Sequence, residues 1–257
     1  TQLPYEVDPI KKKAYEETFI YGGDELEVRI GKTQSIIPLQ ERVCPCGFVF
    51  KLANGEIVVG GARFPLSFPL TPGQPSADRA SAWRRSKDGG RTWREAPAWP
   101  TYSAYQFPDG EIIQMSSKWL VKADQKGVYN TVLYHSTDSG YTLKETTATV
   151  IGIPELVKLN GLPDKKGPRY VHADNGVVRL RDDSLLTPII GRFKGDTKDR
   201  SFIVRSIDRG KTWNYLSTVA FDLTKGKEVR QEGFNEPDLL VLPSGDILCF
   251  MRTGGTH

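Results

Sequence analysis

Two ionisable side chains near the end of the chain have types and spacing that could do chemistry. Glu236 stands in residues 234–238, which read Phe-Asn-Glu-Pro-Asp and precede an apolar segment, and Arg252 follows the next apolar segment. A carboxylate can act as a general base, and an arginine can bind an anionic group through two parallel hydrogen bonds. Two structural interpretations stay open: Glu236 as a strand-start residue bonded to backbone, and Arg252 as part of an ion pair between neighbouring sheets.

Four further residues with useful chemistry lie at the ends of strand-like segments or in the loops beside them. Arg63 ends the segment 57–63, and Asp78 lies in the loop after it. Arg42 precedes an earlier segment, and His172 stands at the start of a later one. Arginines could add to the binding of an anion, and an aspartate or histidine could move a proton. The structural alternatives are an arginine packed on aromatic rings and a histidine bonded within the wall of the fold.

Composition limits the classes of protein to consider. The 257 residues are 38% hydrophobic and 26% charged with a net charge of +4, which is ordinary for a globular chain with a substantial core. The basic residues are scattered, so no nucleic-acid partner is expected. No apolar run approaches the roughly 18 residues that a membrane span needs. Three cysteines are too few for a disulfide framework and lack metal-ligand spacing, so we expect buried thiols on strands and no metal or other cofactor: Cys44, Cys46 and Cys249.

A short pattern occurs three times in the chain. Residues 86–93, 136–143 and 206–213 share the frame Ser-x-Asp-x-Gly-x-Thr-(Trp/Leu), and each follows a strand-like segment. The Asp can accept hydrogen bonds from N–H groups of its own turn, and the Gly permits a positive φ. The aspartates of the frame are therefore predicted to be structural and not catalytic: Asp88, Asp138 and Asp208.

Turn signals between apolar runs mark hairpins that alternate with this pattern. They stand at Asn54-Gly55, Asp109-Gly110, Asp182-Asp183 and Ser244-Gly245. The order along the chain is a hairpin, a third strand, the Ser-x-Asp turn and a fourth strand. Four-stranded units stacked radially make the blades of a β-propeller. The sequence therefore predicts an all-β fold with four-stranded antiparallel blades.

The blades make one propeller domain over residues 1–257, and we expect this domain to be incomplete. Blades are expected at residues 43–99, 100–152 and 168–222, while residues 234–252 supply only the opening hairpin of another. A second chain or a C-terminal segment is expected to complete the propeller.

The three frames resemble the Asp-box (BNR) repeats of the sialidase, or neuraminidase, superfamily. The resemblance implies a β-propeller of sialidase type, six-bladed when complete and only partly covered by this chain. A more specific match is residues 234–238 with the hairpin and Arg252, which are similar to a segment that supplies two sialidase site residues. By this resemblance Glu236 activates a nucleophilic tyrosine, and Arg252 is one of three arginines that bind the sugar carboxylate. The tyrosine and another of these arginines would lie beyond His257.

Looser matches give roles to the other candidates. Arg63 resembles an arginine that lines the sialidase site, and Asp78 stands in the loop where the family carries its acid/base aspartate. His172 lies in a segment similar to a third-blade strand that faces the pocket. Arg42 corresponds to the arginine of a Phe/Tyr-Arg-Ile-Pro motif, but residues 41–46 read Glu-Arg-Val-Cys-Pro-Cys, so that the arginine precedes the proline by three positions instead of two.

The function that the resemblance implies is an exo-glycoside hydrolase acting on an acidic terminal sugar of a glycan. A carboxylate on the anomeric carbon would repel a carboxylate nucleophile, which explains the use of a tyrosine. Two other classes stay open. One is a propeller hydrolase or lyase on uronic-acid polysaccharides, with His172 or a tyrosine moving the proton, and the altered residues 41–46 favour it. The other is a non-catalytic propeller that binds carbohydrate or protein.

The candidate residues are predicted to converge at one end of the propeller. First strands line the axis, and antiparallel pairing returns the end of each second strand to the rim where the first strand began. We therefore expect five residues at the rim opposite the Ser-x-Asp turns: Arg63, Asp78, His172, Glu236 and Arg252. Because paired strands lie only ~5 Å apart, Glu236 and Arg252 are expected within about 15 Å of each other.

Overall fold

The structure is a computed structural model, and it describes residues 17–20, 27–30, 36, 42–43, 48–64, 81–96, 103–115, 120–123, 125–156, 171–173, 175–222 and 233–254. Its strands are β1 (Glu17–Ile20), β2 (Glu27–Ile30), β3 (Arg42–Val43), β4 (Phe48–Lys51), β5 (Ile57–Phe64), β6 (Ser81–Ser86), β7 (Arg94–Glu95), β8 (Ala104–Gln106), β9 (Ile112–Met115), β10 (Val121–Lys122), β11 (Val128–Ser136), β12 (Lys144–Ile151), β13 (His172–Ala173), β14 (Val178–Arg179), β15 (Leu185–Gly191), β16 (Arg200–Ser206), β17 (Thr212–Ala220), β18 (Gly233–Val241) and β19 (Ile247–Gly254).

Antiparallel pairing groups most of these strands into blades. Blade 1 consists of β4, β5, β6 and β7, and blade 2 of β8, β9, β11 and β12. Blade 3 consists of β15, β16 and β17, with β13 and β14 paired one after the other along the inner edge of β15. β18 pairs with β19 in a further hairpin, here called hairpin 4. The outer strands β12 and β17 also pair in parallel and join blades 2 and 3. None of the described residues forms a helix with the length and hydropathy of a membrane span.

In the second strand of a blade, alternate side chains face the blade before and the blade after it, because successive side chains of a strand point to opposite faces. On β9, Ile112 packs with Val58 and Trp83 of blade 1, whereas Ile113 packs in a cluster that includes Trp213 of blade 3. A third cluster joins blade 3 to hairpin 4 through Leu186, Ile203 and Leu239. The apolar core therefore lies between blades, and blades 2 and 3 contribute to it through both faces.

One face of hairpin 4 does not follow this rule. In the three blades, the second residue of the second strand is buried. Its exposure is 0% for Val58 of β5, 0% for Ile113 of β9 and 3% for Leu186 of β15. The equivalent Leu248 on β19 is 41% exposed, and Phe250, two residues further along the same face, is 62% exposed. Hairpin 4 thus presents an uncovered apolar face.

The three Ser-x-Asp turns have the same internal hydrogen bonds. In the first, the Ser86 hydroxyl donates to Asp88 Oδ1 at 2.7 Å, and the Thr92 amide donates to the same carboxylate oxygen at 2.9 Å. The amide of the threonine makes the equivalent bond at 2.9 Å in the second turn and at 2.8 Å in the third. Each Asp carboxylate therefore binds the backbone of its own turn, as the repeat predicted.

These hydrogen bonds also hold the turn carboxylates in their charged form. The hydroxyl and the amide of Thr92 both donate to Asp88 and keep its pKa well below the ordinary 3.8. Burial raises the pKa of Asp138, but the hydrogen bonds from Thr142 and Ser136 outweigh it and lower the pKa to about 2. The turns are therefore built around anions at neutral pH, which suits a structural role.

Polar contacts connect the second and third Ser-x-Asp turns to the preceding blade. Arg209 of the third turn donates from Nε to Glu111 Oε2 of blade 2 at 2.8 Å, and its guanidinium lies 3.7 Å over the ring of Phe107. At the junction of blades 1 and 2 the direction is reversed, because Arg85 of blade 1 donates to the Ser139 carbonyl of the second turn at 2.9 Å. The end of the blades that carries the turns is thus linked by charged and polar side chains.

One buried polar side chain between blades 1 and 2 lacks this kind of partner. Gln114 on β9 is 1% exposed, and neither its Oε1 nor its Nε2 has a hydrogen-bond partner among the described residues. Thr187 on β15 occupies the equivalent position in blade 3, is 0% exposed, and has an unpartnered hydroxyl. A buried amide or hydroxyl without a partner costs about 1–3 kcal/mol.

We expect Gln114→Met to raise the free energy of unfolding by about 1–2 kcal/mol, because it removes the unpartnered amide and keeps the side-chain volume. Gln106→Met is the matched control, since the Gln106 amide accepts from the Ala53 N–H at 2.7 Å and donates to the Gly110 carbonyl at 3.2 Å. That control is expected to lower stability. Urea unfolding followed by tryptophan fluorescence measures both. Loss of stability in Gln114→Met would mean that the amide is satisfied in solution.

Candidate functional site

The register of the strands defines two ends of the blades. Ile57, directly after a hairpin turn, pairs with Ser86 at the start of a Ser-x-Asp turn, and Leu185 pairs with Ser206 in the same way. The hairpin turns and the Ser-x-Asp turns therefore share one end, here called the turn rim. The opposite end of the blades is called the site rim.

The backbone places several of the predicted residues at the site rim. Arg63 pairs with Val43 at the end of β5 remote from the Ser86 turn, and Arg42 pairs with Phe64 beside it. The two arginines thus lie on adjacent strands. His172 on β13 pairs with Ile190, near the end of β15 that is remote from Ser206. Asp78 lies outside the described residues.

Hairpin 4 lies with its turn on the turn rim and its open end on the site rim. Arg181, in the turn of blade 3, donates to the Pro243 carbonyl in the turn of hairpin 4. At the other end Asn235 pairs with Arg252. Glu236 and Arg252 therefore stand at the end of hairpin 4 that the sequence predicted.

Glu236 and Arg252 form a direct ion pair. Arg252 Nε donates to Glu236 Oε2 at 2.8 Å, well within the separation predicted from hairpin geometry. The side chains are 48% exposed for Arg252 and 54% exposed for Glu236, so both are open to solvent on one side. The pair lies within one hairpin, which differs from the ion pair between sheets considered above for Arg252.

A β-bulge gives Glu236 its position. Asn235 pairs with Arg252 but Asp238 pairs with Phe250, so β18 has one residue more than β19 over this stretch. Glu236 lies in the bulge and has a left-handed φ of 49°, which is uncommon for a residue with a side chain. Bulges re-aim side chains and are frequent beside active sites, and strained φ values cluster at functional sites. Pro237 is the local signal that could have indicated a bulge, since proline within a strand is confined to edges, strand starts and bulges.

Charged residues of blade 3 lie beside the start of β18. Arg192, which directly follows β15, donates to Asp199 Oδ1 at 2.5 Å, and Lys198 donates to Asp222 Oδ2 at 2.5 Å. The side chains of Asp199 and Lys198 are only 7% and 4% exposed. Buried charges need such partners, because removal of one member of a buried pair costs about 3–5 kcal/mol.

The sequence analysis did not single out Arg192. A signal for it exists, since Arg192 is followed by Phe193 after a second strand just as Arg63 is followed by Phe64. The recurrence of an Arg-Phe pair at the ends of β5 and β15 was the pattern that could have found it.

Metal-ligating side chains were sought among the residues that the structure describes. Within the described ranges, no group of three or more His, Cys, Asp or Glu side chains is arranged to hold a metal ion. Cys249 is a free, half-buried thiol on β19, and burial raises its pKa. Cys44 and Cys46 lie outside the described residues.

Comparison with solved structures identifies the fold. No protein-family model and no curated protein sequence matches the chain. A protein of unknown function from Dyadobacter fermentans DSM 18053 superposes on 84% of the chain with a TM-score of 0.59 and 20% identity. The Hadza microbial sialidase Hz136 covers 80% with a TM-score of 0.51 and 15% identity. The GH93 α-L-arabinofuranosidase of Fusarium graminearum, solved with arabinobiose, covers 86% with a TM-score of 0.50 and 15% identity.

These similarities confirm the predicted fold class. The chain is an all-β protein with the β-propeller fold, and structures with this fold include glycoside hydrolases. The chain spans 64% of the length of the Dyadobacter protein, 41% of the sialidase and 60% of the arabinofuranosidase.

Proposed function

We propose that the whole protein is a propeller glycoside hydrolase that acts on an acidic terminal sugar. The observation that carries the proposal is the Glu236–Arg252 pair, a carboxylate and a guanidinium in contact at 2.8 Å, half-exposed and held in a bulge. A base next to an arginine is suited to a substrate that carries its own carboxylate close to the reacting carbon. Two of the similar structures are named as glycosidases, which supports the reaction class.

In the proposed reaction Arg252 binds the sugar carboxylate through its guanidinium. Glu236 accepts the phenolic proton of a tyrosine as the tyrosine oxygen attacks the anomeric carbon, and the glycosidic oxygen leaves with a proton from Asp78. The sialidase resemblance supplies the tyrosine and the role of Asp78. Water then displaces the tyrosine, and the proton transfers run in reverse. Arg63 and Arg42, on adjacent strands of the site rim, are proposed to complete the binding of the carboxylate.

In this proposal Glu236 orients Arg252 in addition to activating the nucleophile. Their ion pair fixes the direction of the guanidinium before substrate arrives, so that less conformational entropy is lost on binding. Lysine would keep the positive charge but lose the planar fork that matches a carboxylate.

We expect Arg252→Lys to lower kcat/KM on the acidic substrate by roughly 10- to 100-fold, mainly through KM, since a hydrogen bond to a charged group is worth about 1.5–3 kcal/mol. The whole protein is assayed on an aryl α-sialoside, on a glucuronide-terminated oligosaccharide and on an aryl α-L-arabinofuranoside. Arg181→Lys, on the turn rim, is the matched control and should keep wild-type kinetics.

The substrate panel separates the alternatives. Preference for the glucuronide over the sialoside would assign the protein to uronic-acid chemistry, which the altered residues 41–46 favour. Preference for the neutral arabinofuranoside, or an Arg252→Lys variant with unchanged KM on acidic sugars, would contradict the proposal. Equal sugar binding by wild type and variant without turnover would indicate a non-catalytic propeller.

A further inference from the structure

The segment that carries Glu236 is joined to blade 3 on its N-terminal side. The Phe234 amide donates to the Asp199 carbonyl at 3.0 Å, and the Ser201 hydroxyl donates to the Phe234 carbonyl at 3.0 Å. Gly233 forms a parallel bridge with Asp199. Backbone and side-chain contacts thus hold the chain directly before the bulge.

The same segment is joined to blade 3 on its C-terminal side. The Asn175 side-chain amide donates from Nδ2 to the Pro237 carbonyl at 3.0 Å. The Gly176 amide donates to Asp238 Oδ1 at 3.3 Å. Asn175 and Gly176 lie between β13 and β14, in the inner part of blade 3. The chain is therefore held by blade 3 on both sides of Glu236.

The backbone of Glu236 needs such support. A left-handed φ costs a residue with a side chain free energy, and a residue before proline is biased toward extended conformations. Glu236 has a φ of 49° and is followed by Pro237. Pro237 has no N–H, so its carbonyl, in the peptide that joins it to Asp238, is the only backbone group of Pro237 that a neighbour can hold by a hydrogen bond. Strained conformations persist only where surrounding contacts over-determine them.

We infer that Asn175 is a positioning residue for Glu236: its amide holds the Pro237 carbonyl and so keeps Glu236 in the conformation that directs its carboxylate to Arg252. The inference rests on the proposed function for its consequence in catalysis, but its structural part concerns the ion pair alone. Loss of the Asn175 donor lets the peptide between Pro237 and Asp238 turn, which shifts the chain at Glu236 and separates Glu236 Oε2 from Arg252 Nε. The base then occupies its catalytic position for only part of the time.

The test removes the donor and keeps the shape of the side chain, with Asn175→Asp. Asn54→Asp is the matched control, because Asn54 Nδ2 also donates across a blade junction, to Ser139 Oγ at 3.3 Å, but on the turn rim. The first readout is hydrogen exchange of the Arg252 Nε–H in ¹⁵N NMR spectra, with the signal assigned by its loss in Arg252→Lys. The second is kcat against pH on the acidic sugar that the whole protein hydrolyses.

In Asn175→Asp we expect the Arg252 Nε–H to exchange at least about tenfold faster. We expect kcat to fall by roughly 10- to 100-fold with KM within about threefold of wild type. Asn54→Asp should change neither. Asn175→Ser, which keeps a donor, should recover part of both and serves as the test variant if Asn175→Asp does not fold.

Unchanged exchange of the Arg252 Nε–H in a folded Asn175→Asp variant would overturn the inference. So would an equal effect of Asn54→Asp. If the wild-type protein hydrolyses none of the sugars, the proposed function fails, while the exchange measurement still decides whether Asn175 positions Glu236. The two failures are therefore distinguishable.

Discussion

Replacement of Glu236 by glutamine is expected to lower kcat by about 10²- to 10⁴-fold, the range in which general base catalysis contributes. The amide keeps the size of the side chain and can still contact Arg252, but it cannot accept the proton of the nucleophile. KM on the acidic sugar should change by less than about tenfold, because the arginines still bind the carboxylate. Steady-state kinetics of the whole protein on the acidic sugar measures both constants.

Two further variants test whether the fall in kcat of Glu236→Gln comes from the loss of the base. Glu145→Gln makes the same chemical change on the outer strand β12, where Glu145 is exposed, and should leave kcat unchanged. Glu236→Gly should abolish activity and yet raise the free energy of unfolding by about 1 kcal/mol, since glycine adopts a left-handed φ without strain. A Glu236→Gln variant with more than about half of the wild-type kcat would exclude Glu236 as the base.

Replacement of Gly233 by alanine is expected to have the largest effect on stability. An added Cβ would lie 2.3 Å from the Asp199 carbonyl oxygen and 2.8 Å from the Asp199 nitrogen, and both are backbone atoms that cannot turn away. The φ of Gly233 is +96°, which a residue with a side chain adopts only with strain. Together the strain and the overlap predict a loss of about 3 kcal/mol or more in the free energy of unfolding.

Gly55→Ala separates these two causes. Gly55 has a φ of +86° in a hairpin turn, and an added Cβ there meets nothing within 4 Å. It should therefore cost only the conformational term, about 1–2 kcal/mol. Urea unfolding of both variants gives the difference that the Asp199 contact causes. Equal losses in the two variants would show that blade 3 yields to the extra methyl group and does not hold the start of β18 rigidly.

The features that could be predicted from the sequence are those fixed within a few residues. The Ser-x-Asp turn closes through the amide of a threonine four residues after the aspartate, so the pattern Ser-x-Asp-x-Gly-x-Thr contains both partners. Hairpin turns are equally local. At Asp183, which has a φ of 67°, an aspartate takes the left-handed position filled by glycine in the other three hairpins, and the Asp-Asp signal still marked the turn correctly.

The features that escaped prediction depend on residues far apart in the chain. The bulge at Glu236 arises from the pairing of β18 with β19 and is held by a hydrogen bond from Asn175 to the Pro237 carbonyl. These two residues are 62 positions apart in the sequence. The Asp199–Gly233 bridge likewise joins blade 3 to hairpin 4. No short pattern contains both partners of such a contact. The ends of the candidate site could therefore be predicted from hairpin geometry, but the strain that aims Glu236 could not.

Blades 2 and 3 contact the preceding blade and the following blade or hairpin through different faces, so the series of blades has a leading and a trailing face. The junctions between blades are heterologous, because different faces of the two partners meet: Val58, the second residue of β5, meets Ile112, the first residue of β9. Contacts of this kind are not self-complementary, so they add units by a constant rotation instead of pairing them about a twofold axis. The uncovered Leu248 and Phe250 of hairpin 4 belong to the leading face of that series. A further unit that covers them by the same rule continues the rotation of the blades in the same sense.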